Sequence, residues 1–414
     1  MRTALEICFW VSVGLIVWTQ LAYAAVLALL ARVSPRGLRT ARAAAPDRAA
    51  AQTASQDETA LPDGAAATAR TASQDGALPS LSLIVAAHDE EPVIGAKVRN
   101  SLALDYPRER LELIVACDGC SDATARLARE EGADVVLELA RGGKVRAQDA
   151  AVAVARGEIV AFSDANALWA PGAARALVDA FADPRVGYAC GQVRFLAADS
   201  ADGPANQEGL YWRYELAVRE LESRLSSITA GNGAIYATRR DTYIVVDPVM
   251  GHDLSLPFNV VKRGSRAVYV QGALATERMV PTLAGEFARK RRMMSHTWPI
   301  VLRGGMLSPR GYPPGYALMI LSHRLLRYST PALHVVALAA NIALVAAGAG
   351  AVYVLTLALQ LALLLAALLA GAVRARPLLI ARYYVLTTAS PAAGLWDWLR
   401  HGTAASWEAA EGTR

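Results

Sequence analysis

Hydrophobic positions along the chain fall into two textures: nearly unbroken runs at both ends, and short runs alternating with polar stretches between them. Residues 4–31 (ALEICFWVSVGLIVWTQLAYAAVLALLA) hold a single charge, Glu6. A helix needs about 20 apolar residues to cross a hydrocarbon layer, so this run predicts a transmembrane anchor over residues 1–32. It is longer than the core of a secretory signal, and an arginine-rich flank stands where a cleavage site would be. Near the other end, YALMILSHRLLRY (316–328) is amphipathic and predicts an interfacial helix within 301–330. PALHVVALAANIALVAAG (331–348) and VYVLTLALQLALLLAALLAGAV (352–373) then predict a spanning hairpin. A shorter apolar segment at about 383–396, interrupted by Pro391, either spans or lies in the interface, which extends the carboxyl-terminal membrane region over 331–398 and leaves 399–414 as a tail. Arg32, Arg36, Arg39 and Arg42 follow the first run against a lone Arg2 before it, and Arg324, Arg327, Arg374 and Arg376 flank the hairpin. By the positive-inside rule all of these flanks, and whatever lies between them, face the cytoplasm across a plasma (inner) membrane.

Between the apolar ends, LSLIVAA (81–87), LELIVAC (111–117), ADVVLEL (133–139) and EIVAFSD (158–164) read as buried strands. PVIGAKVRNSLA, DATARLAREE and KVRAQDAAVAVA read as the helices between them. This β-α-β-α succession predicts an α/β domain over 80–300 whose mostly parallel sheet is covered on both faces. Residues 33–79 are different: TASQDETALP (53–62) nearly recurs as TASQDGALP (71–79), in a stretch too poor in apolar side chains to order itself.

In parallel sheets the working residues collect at the carboxyl ends of strands. Here the first strand ends in Ala87-His88-Asp89-Glu90-Glu91, the second in Asp118-Gly119-Cys120-Ser121-Asp122 and the fourth in Ser163-Asp164-Ala165-Asn166. Any one of these acids has an ordinary explanation, as a helix cap, a charge at a helix amino end or a turn former. Three such loops along one sheet edge suit a ligand whose base offers N–H donors and whose phosphates arrive with a divalent cation. Carboxylates accept the N–H groups, and oxygen ligands spaced D-x-D or D-x-N hold Mg²⁺ or Mn²⁺. Lys144, one of four lysines, follows two glycines after the third strand and adds a positive charge facing phosphate.

Charge and cysteine content exclude other classes. The formal charge of +5 comes almost wholly from arginine and forms no basic cluster interleaved with aromatics, so nucleic acid is not an expected partner. Four cysteines in this length are too few for a disulfide framework. The Cys117-x-x-Cys120 spacing lacks the further ligands of a zinc site, and Cys117 reads as a strand end, which leaves Asp118 as the functional member of that loop.

These motifs, in this order, resemble the family 2 glycosyltransferases, nucleotide-sugar enzymes of GT-A fold. LSLIVAAHDEEP is similar to that family's opening strand and acidic turn, ACDGCSDAT to its D-G-S-x-D nucleotide loop, GKVRAQDAA to its lysine-led helix and FSDAN to its metal motif. The resemblance implies that Ala87, Glu90, Asp118, Lys144 and Asp164 bind the nucleotide sugar, with Asp164 and Asn166 at the metal. ITAGNGAIYATRRD (228–241) resembles the strand near the acceptor pocket, where Gly231, Asn232 and Gly233 let the backbone approach a sugar. GHDLSLPFNVVKRGSRAVYV (251–270) resembles the segment that carries the catalytic acid, and assigns Asp253 the general-base role. Arg289 and Arg292 fall where processive members carry Q-x-x-R-W, at the diphosphate or lipid; the first residue and the tryptophan of that pattern are missing, which weighs against long-chain polymerisation. Asn166 replaces the more usual second carboxylate of the metal motif. The implied activity is inverting transfer of a sugar from a nucleotide diphosphate, with UDP expected, to a lipid-linked or growing glycan at the bilayer. Two other readings stay open: a nucleotidyltransferase making sugar nucleotides, although AHDEEP lacks its glycine-rich loop, and a non-catalytic membrane scaffold.

Overall fold

A computed structural model describes residues 1–33, 78–196, 205–278, 283–373 and 375–405. The duplicated segment and nearly all of the linker around it lie outside the described residues, as do Arg36, Arg39, Arg42 and Arg374. Helix α1 (Arg2–Val33) precedes the linker. The domain beyond it runs β1 (Leu81–Ala87), α2 (Glu91–Leu102), β2 (Leu111–Asp118), α3 (Thr124–Glu130), β3 (Val135–Leu139), α4 (Lys144–Val154) and β4 (Ile159–Asp164). It continues through β5 (Leu168–Trp169), α5 (Ala173–Asp179), β6 (Val186–Leu196), α6 (Ala205–Leu225), β7 (Tyr236–Arg239), α7 (His252–Lys262) and β8 (Arg266–Arg278). Five further helices follow, α8 (Leu283–Leu302), the bent pair α9 (Pro314–Tyr328) and α10 (Thr330–Ala346), α11 (Ala351–Leu369) and α12 (Arg376–His401).

The eight strands form one sheet in the order β3-β2-β1-β4-β7-β6-β8-β5. The first four are parallel, with Leu81 beside both Leu111 and Ile159. Side chains alternate across this sheet: Leu83, Val85 and Ala87 enter one core with Leu113 and Val115, while Ile84 and Ala86 enter the other with Ile114 and Ala116. Both faces are therefore dry, which is why these strands read as continuous apolar runs. Burying each of Leu83, Ile84 and Val85 contributes about 1.5–3 kcal/mol. Beyond β4 the sheet turns mixed: β7 is antiparallel to β4 and β6, β6 is parallel to β8, and β5 is antiparallel to β8.

Among the described residues two helices, α1 and α11, are long and apolar enough to cross a membrane, and α9 with α10 meets the same test only as a pair bent by 63°. The pattern of residues 331–348 predicts one arm of a spanning hairpin after an interfacial helix; the helix found there is 17 residues long and meets α9 at that 63° bend. Helix α1 and α9 both loosen into a π-turn where they touch, at Trp18–Ala22 and Ile320–Leu325. There Thr19 Oγ1 donates to the Ser322 carbonyl at 2.8 Å and Trp18 Nε1 to Ser322 Oγ at 3.0 Å. Tyr23 then donates to Glu222 of α6 at 2.7 Å, tying the first helix to the sheet domain. The last helix extends well beyond its apolar stretch, 26 residues through Pro391, and lies along α8. Trp298 Nε1 donates to the Pro391 carbonyl at 2.9 Å and Arg291 pairs with Asp397 at 2.5 Å.

Candidate active site

The second strand delivers Asp118 to the sheet edge almost fully buried, yet its carboxylate is bonded: Oδ1 accepts from Gly142 N at 2.6 Å and Oδ2 from Gly143 N at 2.9 Å. A carboxylate offers about four acceptor positions, so roughly two remain for a ligand. The same bonds fix the loop that opens α4. Gly143 caps that helix at φ 94°, and a Cβ there would fall on the carbonyl of Ala405. Lys144 is the first helical residue and its ammonium pairs with Asp164 at the end of β4. Burial works against the Lys144 charge, but Asp164, Asp253 and Glu277 outweigh it and hold its pKa above that of a free lysine. Gly233 approaches the same pair, since a Cβ on it would lie 3.1 Å from Lys144 Nζ and 3.6 Å from Asp164 Oδ2.

Several acids of the strand-end loops serve the loops themselves. Asp89, at φ 49°, accepts from Ser121 N at 2.7 Å, which holds its carboxyl below the usual range. Asp122 accepts from Thr124 N at 2.9 Å and from Glu91 N at 3.0 Å, and Glu91 returns a bond from Ala123 N at 3.1 Å. This lattice clamps the β1 and β2 loops together. Glu90 is buried within it, its N–H donating to Thr124 Oγ1 at 2.8 Å. Ala87 is buried at the end of β1, and its carbonyl takes the Cys120 thiol at 3.5 Å. His88, Asp89 and Cys120 bring potential ligand atoms within 4.8 Å of one another, but His88 Nδ1 already meets the Asp118 carbonyl at 2.8 Å and Asp89 serves Ser121.

On the other side of the cleft, Asp253 lies in the first turn of α7, where a negative charge favours the helix dipole; Gly251 occupies the cap position. Its carbonyl accepts from Gly231 N at 2.7 Å, so the helix start and the 231–233 loop move as one. Behind it, His252 is buried between two tyrosines, with Tyr236 OH at 2.9 Å from Nδ1 and Tyr243 OH at 3.1 Å from Nε2. Burial, reinforced by Lys144, lowers the His252 pKa to about 3, so it stays neutral. Tyr243 also donates to Asp149 at 2.6 Å, and Tyr236 stacks on Phe162 with centroids 4.7 Å apart.

The Asn232 side chain is saturated inside the protein. It donates to the Gly191 carbonyl at 2.8 Å and to Cys190 Sγ at 3.2 Å, and accepts from Ala234 N at 3.1 Å and Ile235 N at 2.9 Å. An amide has no capacity beyond these four, so what Asn232 offers a ligand is the backbone it holds. Arg289 forks onto buried Glu286 at 2.7 and 2.8 Å, whereas Arg292 is exposed. Three residues beside this cleft have no motif in the sequence. Glu277 on β8 has its pKa pushed up to about 7, first by burial and then by Asp164. Lys97 of α2, fully buried, donates to the Ala167 carbonyl at 2.7 Å, and burial lowers its pKa to about 7 against the pull of Asp164 and Glu277. His296 of α8 meets the Val249 carbonyl at 3.2 Å within the field of Asp253. All three come from elements distant in sequence, so only register and helix packing reveal them.

Around Lys144, then, the Asp118 loop, the end of β4 and the start of α7 share one cleft. A profile described as Glycosyltransferase like family 2 matches residues 79–295, more than half of the chain. The chain belongs to this family. This family 2 member is 36% identical over 134 residues to beta-monoglucosyldiacylglycerol synthase of Trichormus variabilis, covering 31% of the chain and 28% of that protein. It is 33% identical over 97 residues to a probable glycosyltransferase, YdaM, of Bacillus subtilis, covering 22% and 23%. The chain thus matches about a quarter of the length of these curated relatives. Its fold is that of the mannosyltransferase PcManGT from Pyrobaculum calidifontis, solved in complex with GDP-mannose and Mn²⁺. The superposition has a TM-score of 0.65 at 22% identity, over 95% of this chain and 99% of that one. The shared fold is GT-A, and it reaches beyond the sheet domain into the flanking helices.

Proposed function

We propose that the chain is a membrane-anchored, inverting glycosyltransferase that moves a sugar from a nucleotide diphosphate, UDP for preference, to a hydroxyl of a lipid-linked or growing glycan acceptor. One observation carries this reading: a single lysine, Lys144, follows the glycines that hold Asp118, pairs with Asp164 and feels the field of Asp253. Asp118 keeps free acceptor positions for the N–H of a base, and the glycine loop with Lys144 faces phosphate. Asp164 and Asn166 would hold Mg²⁺ or Mn²⁺; both are oxygen donors in one loop, the set that hard divalent cations prefer. When bound, such a cation neutralises the diphosphate leaving group.

Asp253 takes the proton of the acceptor hydroxyl as it attacks the anomeric carbon. The carbonyl bond to Gly231 and the neighbouring His252, held by Tyr236, hold the helix start that carries that carboxylate. Burying His252 uncharged also spares Asp253 an ion-pair partner that would weaken it as a base. In-line displacement needs one base and one electrophilic pole, and the two acids assigned to them, Asp253 and Asp164, both act on Lys144. The apolar helices α1 and α11 support an acceptor side at the bilayer, and the arginine flanks, by the positive-inside rule, support a domain on the cytoplasmic face of the plasma membrane. The relative named for diacylglycerol glycosylation supports a lipid acceptor.

The test is incubation of the detergent-purified protein with labelled UDP-sugars and Mn²⁺, with and without membrane lipid. Release of UDP supports transfer; formation of pyrophosphate would identify a nucleotidyltransferase, and silence with every donor a scaffold. Asp253→Asn is expected to bind UDP as tightly as the parent while transfer falls about 10²–10⁴-fold. Full activity in that variant removes Asp253 from the base role.

A further inference from the structure

The D-x-N loop of β4 supplies one carboxylate, divalent cations on phosphates are held by one or two, and the fold brings a second acid to this loop from another strand. We propose that Glu277 is a ligand of the cation site, the carboxylate that Asn166 does not provide. The inference rests on the active-site reading above and adds a residue from outside every motif.

Register makes the juxtaposition. Strands β5 and β8 are antiparallel, with Trp169 opposite Ala275 and Leu168 opposite Thr276. One step further along the same ladder, Glu277 stands across from Ala167, the residue that follows Asn166. Ala167 N donates to the Asp164 carbonyl at 3.2 Å, so the loop from Asp164 to Ala167 is a closed turn presented to Glu277. The Glu277 side chain is turned inward, and its Oε1 is buried with no hydrogen-bond partner. A buried carboxylate oxygen without a donor is costly unless a charge compensates it.

The cations near Glu277 are hydrogen-bonded elsewhere. Lys97 Nζ donates to the Ala167 carbonyl, Lys144 pairs with Asp164, and Arg289 forks onto Glu286. Their fields keep an acid tolerable at this depth without satisfying Oε1. Asp164 and Glu277 are acids on the two sides of this turn, and a divalent cation between two carboxylates turns their mutual repulsion into attraction. A purely structural anchor would instead place Oε1 on Lys97 or Arg289.

The experiment is a Mn²⁺ titration of the full-length protein in detergent with UDP present, following free Mn²⁺ by electron paramagnetic resonance. Glu277→Gln is expected to weaken Mn²⁺ binding by about tenfold or more, the size of loss seen when groups that support a metal site are removed. Glu277→Asp should fall between Gln and the parent, and Asp164→Asn should lose most. The double variant Glu277→Gln/Lys97→Met removes the neighbouring buried charge as well and keeps the test open should Glu277→Gln fold poorly. Parental Mn²⁺ affinity in Glu277→Gln or in the double variant, with Asp164→Asn impaired, overturns the inference alone, and a lowered thermal midpoint at unchanged affinity would mark Glu277 as an anchor. A parent protein that binds no Mn²⁺ with UDP, or an Asp164→Asn variant that binds it normally, overturns the active-site reading and this inference with it.

Discussion

The two halves of the sheet build their share of the cleft by different means. In the parallel half Asp118 and Asp164 end strands and Lys144 begins a helix, so all three are placed by local geometry. In the mixed half, β7 is only four residues long and residues 228–235 are irregular. There the working groups hang on helix ends and on bonds across the chain: Asp253 is held through Gly231, and His252 through Tyr236 and Tyr243. The difference teaches that the parallel half places its acids by local pattern, whereas the mixed half depends on a buried polar network whose members are far apart in sequence.

Substitutions on either side sharpen that contrast. The largest effect is expected in the parallel half, where Asp164→Asn removes the Lys144 pair and, on the proposed function, a ligand of the cation. Transfer measured by UDP release should fall about 10³-fold with the thermal midpoint little changed, in keeping with preorganised charge as a main source of catalysis. Gly233→Ala, on the boundary between the halves, sets a methyl near Lys144 and Asp164, and kcat/KM should drop about tenfold, the scale of a small displacement in a positioned site. A normal kcat/KM there would show that the 231–233 loop is not part of the cleft.

The smallest effect is expected in the mixed half and appears in stability. His252 titrates near 3 in the folded chain and near 6.5 when unfolded, so between these values the unfolded state binds more protons. Its contribution to stability is therefore full above about pH 6.5 and is lost as pH falls, by at most about 1.4 kcal/mol per unit. Thermal midpoints of the solubilised protein between pH 7 and pH 5 should fall more steeply in the parent than in His252→Asn. Parallel curves would mean that the two tyrosines hold His252 without regard to its charge.

The acid-bearing strand ends of the parallel half were legible because alternation of buried runs and helical stretches is a local property, and each acid sits within a few residues of its strand. Roles inside those loops were less legible. Asp89 and Asp122 are spent on backbone N–H groups of the neighbouring loop, and Asn232 has no free amide valence, facts that depend on which loops meet. The helix after residue 375 was visible only as a short apolar segment, because its docking on α8 through Trp298 and Asp397 follows no apolar period.

By itself the sequence determined the parallel β-α half, the three acidic strand ends with Lys144 among them, and the apolar runs at both ends, since these follow from side-chain pattern over a few residues. Tertiary structure alone decided that Glu277, Lys97 and His296 stand beside the cleft, that Asp118 holds the glycine loop before α4, and that α9 and α10 bend against α1. These arise from strand register and helix packing across long separations, where one residue of slip would turn every side chain to the opposite face.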